Sequence, residues 1–412
     1  MTLGLRRDCC ARTPEKRIQH RRNPDDTDAC LASEKAQFSW QRTSATYLYA
    51  CHRTAREKRA MPSSIDQKES QKTETLAQRA RQNTVAVDQT KTVGGSDPQY
   101  DIYHFGFSIC SNKVRAVLFE LGLRWLSLEL DPAKHQNYRP DYVRLRLASD
   151  AASGGQFATG WEGGSSVEES GFDALVVPTV FDRENACVVA DSLSICRYLA
   201  AQHRDLIDLV PEVLLPEIER QLEAVDQTPH VALLYGPNPD GTDGRAFIFR
   251  QVFKGEHLKK VAAAEAEASK VAGEDQRLDA AYAAKIAKER AGSAFVADRE
   301  KMRGALDKTR DLLAQLDKDI EGSSGPWICG SAFTLADLFW GVSLFRLEYL
   351  GYGWLWRNGS NHKALQEYSD RTISRPSVLE AVAGWPSHPW SRPVAKWMRK
   401  PSLKDRVMGL GS

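Results

Sequence analysis

Apolar and polar positions are most sharply ordered over residues 100–122, YDIYHFGFSICSNKVRAVLFELG. The first of them alternate as a strand does, with Tyr100, Ile102, His104 and Gly106 on one side and Asp101, Tyr103, Phe105 and Phe107 on the other. Val114, Val117, Leu118 and Leu121 then fall at i, i+3, i+4 and i+7, which predicts a helix, and Gly122 stands where a C-cap belongs. Residues 124–130, RWLSLEL, predict a second strand. A polar excursion rich in Gly and Ser follows over residues 131–173, with one short helix expected in YRPDYVRLRL. Connections of that length usually carry function or lack order. Residues 174–181 read as a buried strand entered through Val177-Pro178, with residues 186–190 as its hairpin partner. Pro178 cannot donate to a ladder, so it belongs at an edge or at a strand's first residue, where a cis bond is compatible. Asp191-Ser192 then caps a helix over residues 193–203.

The order is β-α-β, excursion, β-β-α, which is thioredoxin-like and is assigned to residues 99–208. Strand signals nearly vanish from Val213 on, and helices are predicted over residues 214–235, 253–270, 278–291, 294–320, 335–350 and 363–373. An all-helical second domain over residues 209–395 and a tail over residues 396–412 complete the expected organisation. The Ala/Lys/Glu-rich residues 254–290 read as a solvated helical pair, because a charge run on a helix usually marks an exposed face. In FTLADLFW, Thr334 and Asp337 have capping-box spacing, and the helix behind them is apolar nearly all round, as befits the centre of a domain.

At 412 residues the chain is long enough for two domains with extensions. Its formal net charge of +2 argues against a dedicated nucleic-acid binder. No apolar run is long enough to span a membrane, and no signal-peptide pattern is present. Residues 1–98 are expected to be a disordered or misassigned extension: residues 1–60 are Arg-rich without periodicity, and a polar leader starts at Met61, the expected true start. The 8 cysteines follow neither metal-ligand spacing nor a disulfide framework, so a reducing, cytoplasmic setting is expected. The turn over residues 238–241 has too few carboxylates for a calcium loop, and no metal is assigned.

Cys110 is the sharpest chemical candidate. A thiol at a strand–helix junction sits where unpaired N–H groups and the helix dipole favour an anion, with Lys113 and Arg115 one turn in. The bland alternative is a small buried hydrophobe. Because residue 113 is Lys, no Cys-x-x-Cys pair exists, and a disulfide formed at Cys110 needs an outside thiol to resolve it. Asp191-Ser192 is either a plain cap or a recogniser of an amino-acid-like group, its carboxylate taking an ammonium while the hydroxyl and helix N–H groups take a carboxylate. The Val177 backbone could pair with a peptide ligand beside it.

With V-P before a strand, ADSLSICRYL and FTLADL, the chain resembles the glutathione S-transferase family, whose fold joins an α/β thioredoxin-like domain to an all-α domain. The further motifs FSICSNKVR, YVRLRLAS, GFDALVVPTVFD, TPHVALLYGPNPDG and GPWICGSAFTLADLFWGVSLFR are similar to those of glutathione-dependent 2,5-dichlorohydroquinone reductive dechlorinases. The SICS core also resembles that of tetrachlorohydroquinone reductive dehalogenases. This resemblance covers residues 100–390. It implies Cys110 as the catalytic cysteine, Asp191 and Ser192 as holders of the γ-glutamyl end of glutathione, and Val177-Pro178 as the cis-proline turn that pairs with its cysteinyl backbone. Ser108 or Ser111 is then expected at the glutathione sulfur, and Phe107, His230 and Tyr235 beside an aromatic substrate, although a lone His and Tyr on an apolar helix are more often core residues. Glutathione as co-substrate, a homodimer, and reductive dehalogenation through a Cys110–glutathione mixed disulfide follow from the same resemblance. The rivals are ordinary glutathione conjugation or β-aryl-ether cleavage, with Cys110 incidental, and a non-enzymatic binding module.

Overall fold

The computed structural model describes residues 64–153, 156–240, 251, 253–357 and 362–386. The expectations for residues 1–60 and for the tail 396–412 lie outside the described residues. Five strands form one mixed sheet in the order β1-β3-β2-β4-β5. The strand β2 (Tyr100–His104) runs parallel to β3 (Trp125–Glu129), joined by the crossover helix α2 (Ile109–Glu120). The hairpin β4 (Thr179–Asp182) and β5 (Cys187–Ala190) continues the sheet antiparallel, with Ile102 opposite Val180. Every residue of β2 is buried because helices cover both sheet faces.

The leader departs from expectation. Residues 64–98 are not a disordered extension: they contain the helix α1 (Ser64–Thr84) and β1 (Thr90–Val93), which pairs antiparallel with β3 and sets Thr90 opposite Leu128. Ala77 and Ala80 on α1 are buried in a cluster with Tyr103, Leu128 and Tyr142, and the Tyr103 hydroxyl donates to the Ala77 carbonyl at 2.8 Å. Small alanines let α1 lie close to the sheet while its polar remainder stays outside.

The excursion is also folded. It contains α3 (Pro140–Leu147), behind the expected Pro140, and a bridge between Phe157 and Phe172. Trp161 is buried among Ala232, Phe295 and Met302 of the helical part. The Gly163 carbonyl accepts the Val231 and Ala232 N–H groups at 3.0 and 2.9 Å, satisfying donors in the first turn of α6 (His230–Tyr235). Residues 156–173 thus form a strap tied to the helical part through Trp161 and Gly163.

Behind β5, α4 (Ser192–Gln202) leads to α5 (Leu215–Asp226), and the helix expected over residues 214–235 is broken before α6, whose N-cap is Pro229. The helices α7 (Glu256–Lys270), α8 (Gln276–Ala297) and α9 (Arg299–Gly322) follow, Asp298 capping the last of them through the Glu300 and Lys301 N–H groups. The helix α10 (Leu335–Tyr349) is buried at every residue from Leu335 to Leu347 and lies centrally between α2, α5 and α11 (Lys363–Ile373). Its capping box is complete. Asp337 accepts from the Thr334 N–H at 2.8 Å, and its second oxygen takes the Ile328 N–H and the Tyr368 hydroxyl.

Candidate active site

Where β2 ends, α2 begins. Ser108 is its N-cap, extended at φ −68° and ψ 125°, with Oγ accepting the Ser111 N–H at 3.3 Å. Cys110 is therefore the second residue of the helix, half-buried, in the turn whose N–H groups lack helical partners. Its Sγ donates to Ser165 Oγ at 3.3 Å. Ser165 comes from the excursion, and no motif marks it in the sequence.

Asp191 caps α4 at φ 75°, its Oδ2 accepting from the Ser194 N–H at 3.0 Å and the Ser194 hydroxyl at 3.2 Å. Burial, then the charge of Asp226, raises its carboxyl above the ordinary value. Ser192 is buried beside it, and the Val177–Pro178 peptide is cis immediately before β4.

One cavity of about 620 Å³ gathers these groups: Ser108, Cys110, Val177, Pro178, Asp191 and Ser192 line it, together with Phe107, His230 and Tyr235. Ser111 is the exception among the expected site residues. It is fully buried outside that lining, and its hydroxyl accepts the Phe105 N–H at 3.3 Å. No other cysteine lines the cavity among the described residues. The buried Cys196 thiol is held well above its ordinary range, chiefly by burial.

The two cations expected beside the thiol diverge. Lys113 is buried and pairs with Asp226 at 3.1 Å; burial opposes its charge, but the attraction of Asp226 and Cys110 more than compensates. Arg115 instead turns to the backbone, donating to the Phe105, Gly106 and Ala381 carbonyls and approaching His104 Nδ1 at 3.0 Å. Its guanidinium organises the β2–α2 turn and does not line the cavity.

His230 is buried with Nε2 2.7 Å from Ser343 Oγ, while Nδ1 has no hydrogen-bond partner. Burial, then Lys113 and Arg346, holds this imidazole well below its ordinary pKa, so it is neutral. Phe107 stacks on Phe253 at 6.2 Å between ring centres, and Phe253 meets Tyr235 edge-on at 5.1 Å. The Tyr235 hydroxyl accepts from Lys260 Nζ at 2.6 Å. An aromatic lane therefore leads from the thiol to a charged far wall.

Periodicity along the sequence does not reveal that wall. The pair α7 and α8 is helical as expected, but its inner face is buried and lines the cavity instead of being wholly solvated. Lys285 Nζ lies 2.9 Å from Asp173 and 2.6 Å from Glu289, with all three side chains no more than 6% exposed. Lys288 reaches Asp173 at 3.1 Å, and His257 Nδ1 sits 2.6 Å from Glu289. Burial works against both carboxylates, yet the surrounding ammonium groups outweigh it and hold them below their ordinary values. Lys285 and Glu289 at i, i+4 look in sequence like a surface pair. Asp173, 112 positions away, is the partner that turns the pair inward.

Among the described residues no group of three or more His, Cys, Asp or Glu could hold a metal ion, and no helix is long and apolar enough to cross a membrane.

Comparison with known proteins agrees with this architecture. Residues 107–202 match the model of the glutathione S-transferase N-terminal domain, and residues 276–371 match that of the C-terminal domain. A 2,5-dichlorohydroquinone reductive dechlorinase of Sphingobium indicum is 40% identical over 337 residues, covering 78% of this chain and 97% of the relative. The ganglioside-induced differentiation-associated protein 1-like 1 of Homo sapiens is 25% identical over 302 residues, 69% of this chain and 73% of the relative. Among solved structures, glutathione S-transferase III in its apo form aligns with a TM-score of 0.45 at 16% identity, covering 71% of this chain and 99% of that one. A thioredoxin-like sheet, a central helical bundle, and a relative matched over nearly its whole length make this chain a member of the glutathione S-transferase family.

Proposed function

We propose that the protein removes halogen reductively from chlorinated hydroquinones, using glutathione as co-substrate and Cys110 as the exchanging thiol. The observation that carries this reading is the single cavity shared by Cys110, the Asp191-Ser192 cap and the Val177–Pro178 turn. The 40% identical relative, named for 2,5-dichlorohydroquinone dechlorination, supplies the substrate class. In this proposal residues 99–208 hold glutathione, residues 209–395 shape the substrate end, the chain works as a homodimer, and the compartment is the reducing cytoplasm.

Asp191 has the chemistry for the γ-glutamyl ammonium, Ser192 and the first N–H groups of α4 for its carboxylate, and the Val177 backbone for the cysteinyl unit. Ser108, which lines the cavity, and Ser165, which accepts from Cys110 Sγ at 3.3 Å, are the hydroxyls available to the glutathione sulfur. The glutathione thiolate attacks the chlorine-bearing carbon of a keto tautomer, a C–S bond forms, and chloride leaves with the C–Cl electron pair. Cys110, as thiolate, then attacks the sulfur of the conjugate. An S–S bond forms, the C–S electron pair of the keto-form conjugate passes through the ring to its carbonyl oxygen as a phenolate, and a proton completes the hydroquinone. A second glutathione thiolate attacks the Cys110–glutathione disulfide, releasing oxidised glutathione and the Cys110 thiolate. The absence of another cysteine from the cavity lining, among the described residues, accords with resolution by an outside thiol.

The test is incubation with glutathione and a panel of chlorinated hydroquinones, following chloride, oxidised glutathione and the mass of the Cys110 peptide. Cys110→Ser is expected to release chloride and stop at the thioether. Full reductive turnover by that variant would rule the scheme out. A stable thioether from the wild type would favour conjugation, and a lack of glutathione binding would favour a binding module.

A further inference from the structure

The helix α10 presents a guanidinium to the cavity that the steps above leave unassigned. Arg346 is 3% exposed and lines the cavity with Cys110 and Phe107. Burying such a charge is costly unless hydrogen bonds or an opposite charge compensate it.

Two other buried arginines show how this fold compensates them. Arg115 gives its N–H groups to the Phe105, Gly106 and Ala381 carbonyls and to Asn112 Oδ1. Arg146 donates to the Asp173 and Pro178 carbonyls and to Thr179 Oγ1. Among the described residues Arg346 donates to the Phe107 carbonyl alone, while its guanidinium lies over the Phe107 ring at 4.1 Å. Among the described residues no carboxylate pairs with it, and the titratable groups that favour its charge are Tyr349, Cys110 and Tyr235. Burial lowers its pKa to about 10, which leaves it cationic at neutral pH.

The geometry therefore assigns Arg346 as a catalytic residue that holds the ionised oxygen of a phenolic ring beside Cys110. This rests on the aromatic-substrate reading and deepens it. Thiolate addition to a keto tautomer moves an electron pair from the ring onto its carbonyl oxygen, and breaking the C–S bond does the same in the second step. A buried planar fork of N–H donors stabilises such an oxyanion more than it stabilises the neutral phenol. Selection of ionised phenols over neutral aromatics follows.

The probe is 4-nitrophenol, which carries no halogen and whose yellow band reports the phenolate. Bound to the wild type it should ionise about ten- to a hundredfold more readily than in water, the range for a hydrogen bond to a charged group. Arg346→Met should abolish that shift while leaving glutathione affinity and the melting temperature near wild type. Arg346→Lys, which keeps charge but loses the fork, should retain part of it. A wild type that binds 4-nitrophenol without shifting its ionisation overturns the assignment, whatever becomes of the variants. So does an Arg346→Met enzyme with unchanged spectrum and dechlorination rate. Failure of the wild type to release chloride, with the nitrophenolate shift present and dependent on Arg346, removes the dechlorination reading and leaves the phenolate site standing.

Discussion

Replacing Lys285 with Met removes one ammonium from the far wall while nearly conserving volume. Lys285 stands between Asp173 at 2.9 Å and Glu289 at 2.6 Å, so the substitution leaves two buried carboxylates short of a partner. Breaking a buried ion pair from one side typically costs about 3–5 kcal/mol. Lys288 still reaches Asp173, and His257 and Lys260 still face Glu289, which places the expected loss at the low end, about 3 kcal/mol at pH 8. The pH dependence separates this cause from lost packing. In the wild type both carboxyls are held below their ordinary values, so their contribution is complete above the unfolded pKa values near 4 and is lost as pH falls through the native ones. In Lys285→Met burial prevails and the native values rise above the unfolded ones; each folded carboxyl then binds its proton more tightly, and stability declines as pH rises. The deficit should therefore shrink to about 1 kcal/mol at pH 5. Urea unfolding followed by tryptophan fluorescence at pH 5 and pH 8, with matched m-values, measures it. A deficit independent of pH, or below about 1 kcal/mol at pH 8, would refute the reasoning.

Two further outcomes test the other end of the cavity and the leader. Asp191→Asn keeps a capping oxygen and a residue that tolerates the φ of 75°, so stability should change by no more than about 0.5 kcal/mol. The KM for glutathione should nonetheless rise roughly tenfold or more as the ammonium loses its carboxylate, in steady-state kinetics. Ala80→Glu forces an unpaired carboxylate into the fully buried contact between α1 and the sheet, and urea unfolding should show a loss of about 3 kcal/mol. An unchanged midpoint would mean that α1 is dispensable to the fold.

The thiol end of the cavity was legible because its signals are local. Cys110 and Asp191 each stand at a helix start, and Val177-Pro178 precedes a strand, so a few neighbouring residues identify each position. The choice between Ser108 and Ser111 was not legible. Ser108 lines the cavity, whereas one turn of helix later the Ser111 hydroxyl accepts from the Phe105 N–H, and spacing alone does not distinguish them. The leader was hidden for a different reason: α1 meets the core through Leu76, Ala77 and Ala80, too small and too few to raise a hydrophobic period above its polar background. Arg346 lies inside a helix whose sequence signal is its apolar character, and Ser165 reaches Cys110 solely through the path of the strap. The charged wall depends on Asp173 meeting α8, a tertiary event that a charge run viewed in isolation conceals.

The hairpin of α7 and α8 divides the cavity between separate stretches of chain. The proposed sulfur chemistry belongs to α2 and α4, whereas Lys260, Lys285 and Glu289 arrive on a helical pair whose first member lies outside both segments matched by the family models. Mutation or wholesale exchange of that pair can therefore remodel the far end of the chamber while the thiol and its capping carboxylate keep their places. A lineage could retune its choice of aromatic without relearning the exchange of sulfur, with the Asp173–Lys285 contact as the joint that any replacement hairpin must reproduce.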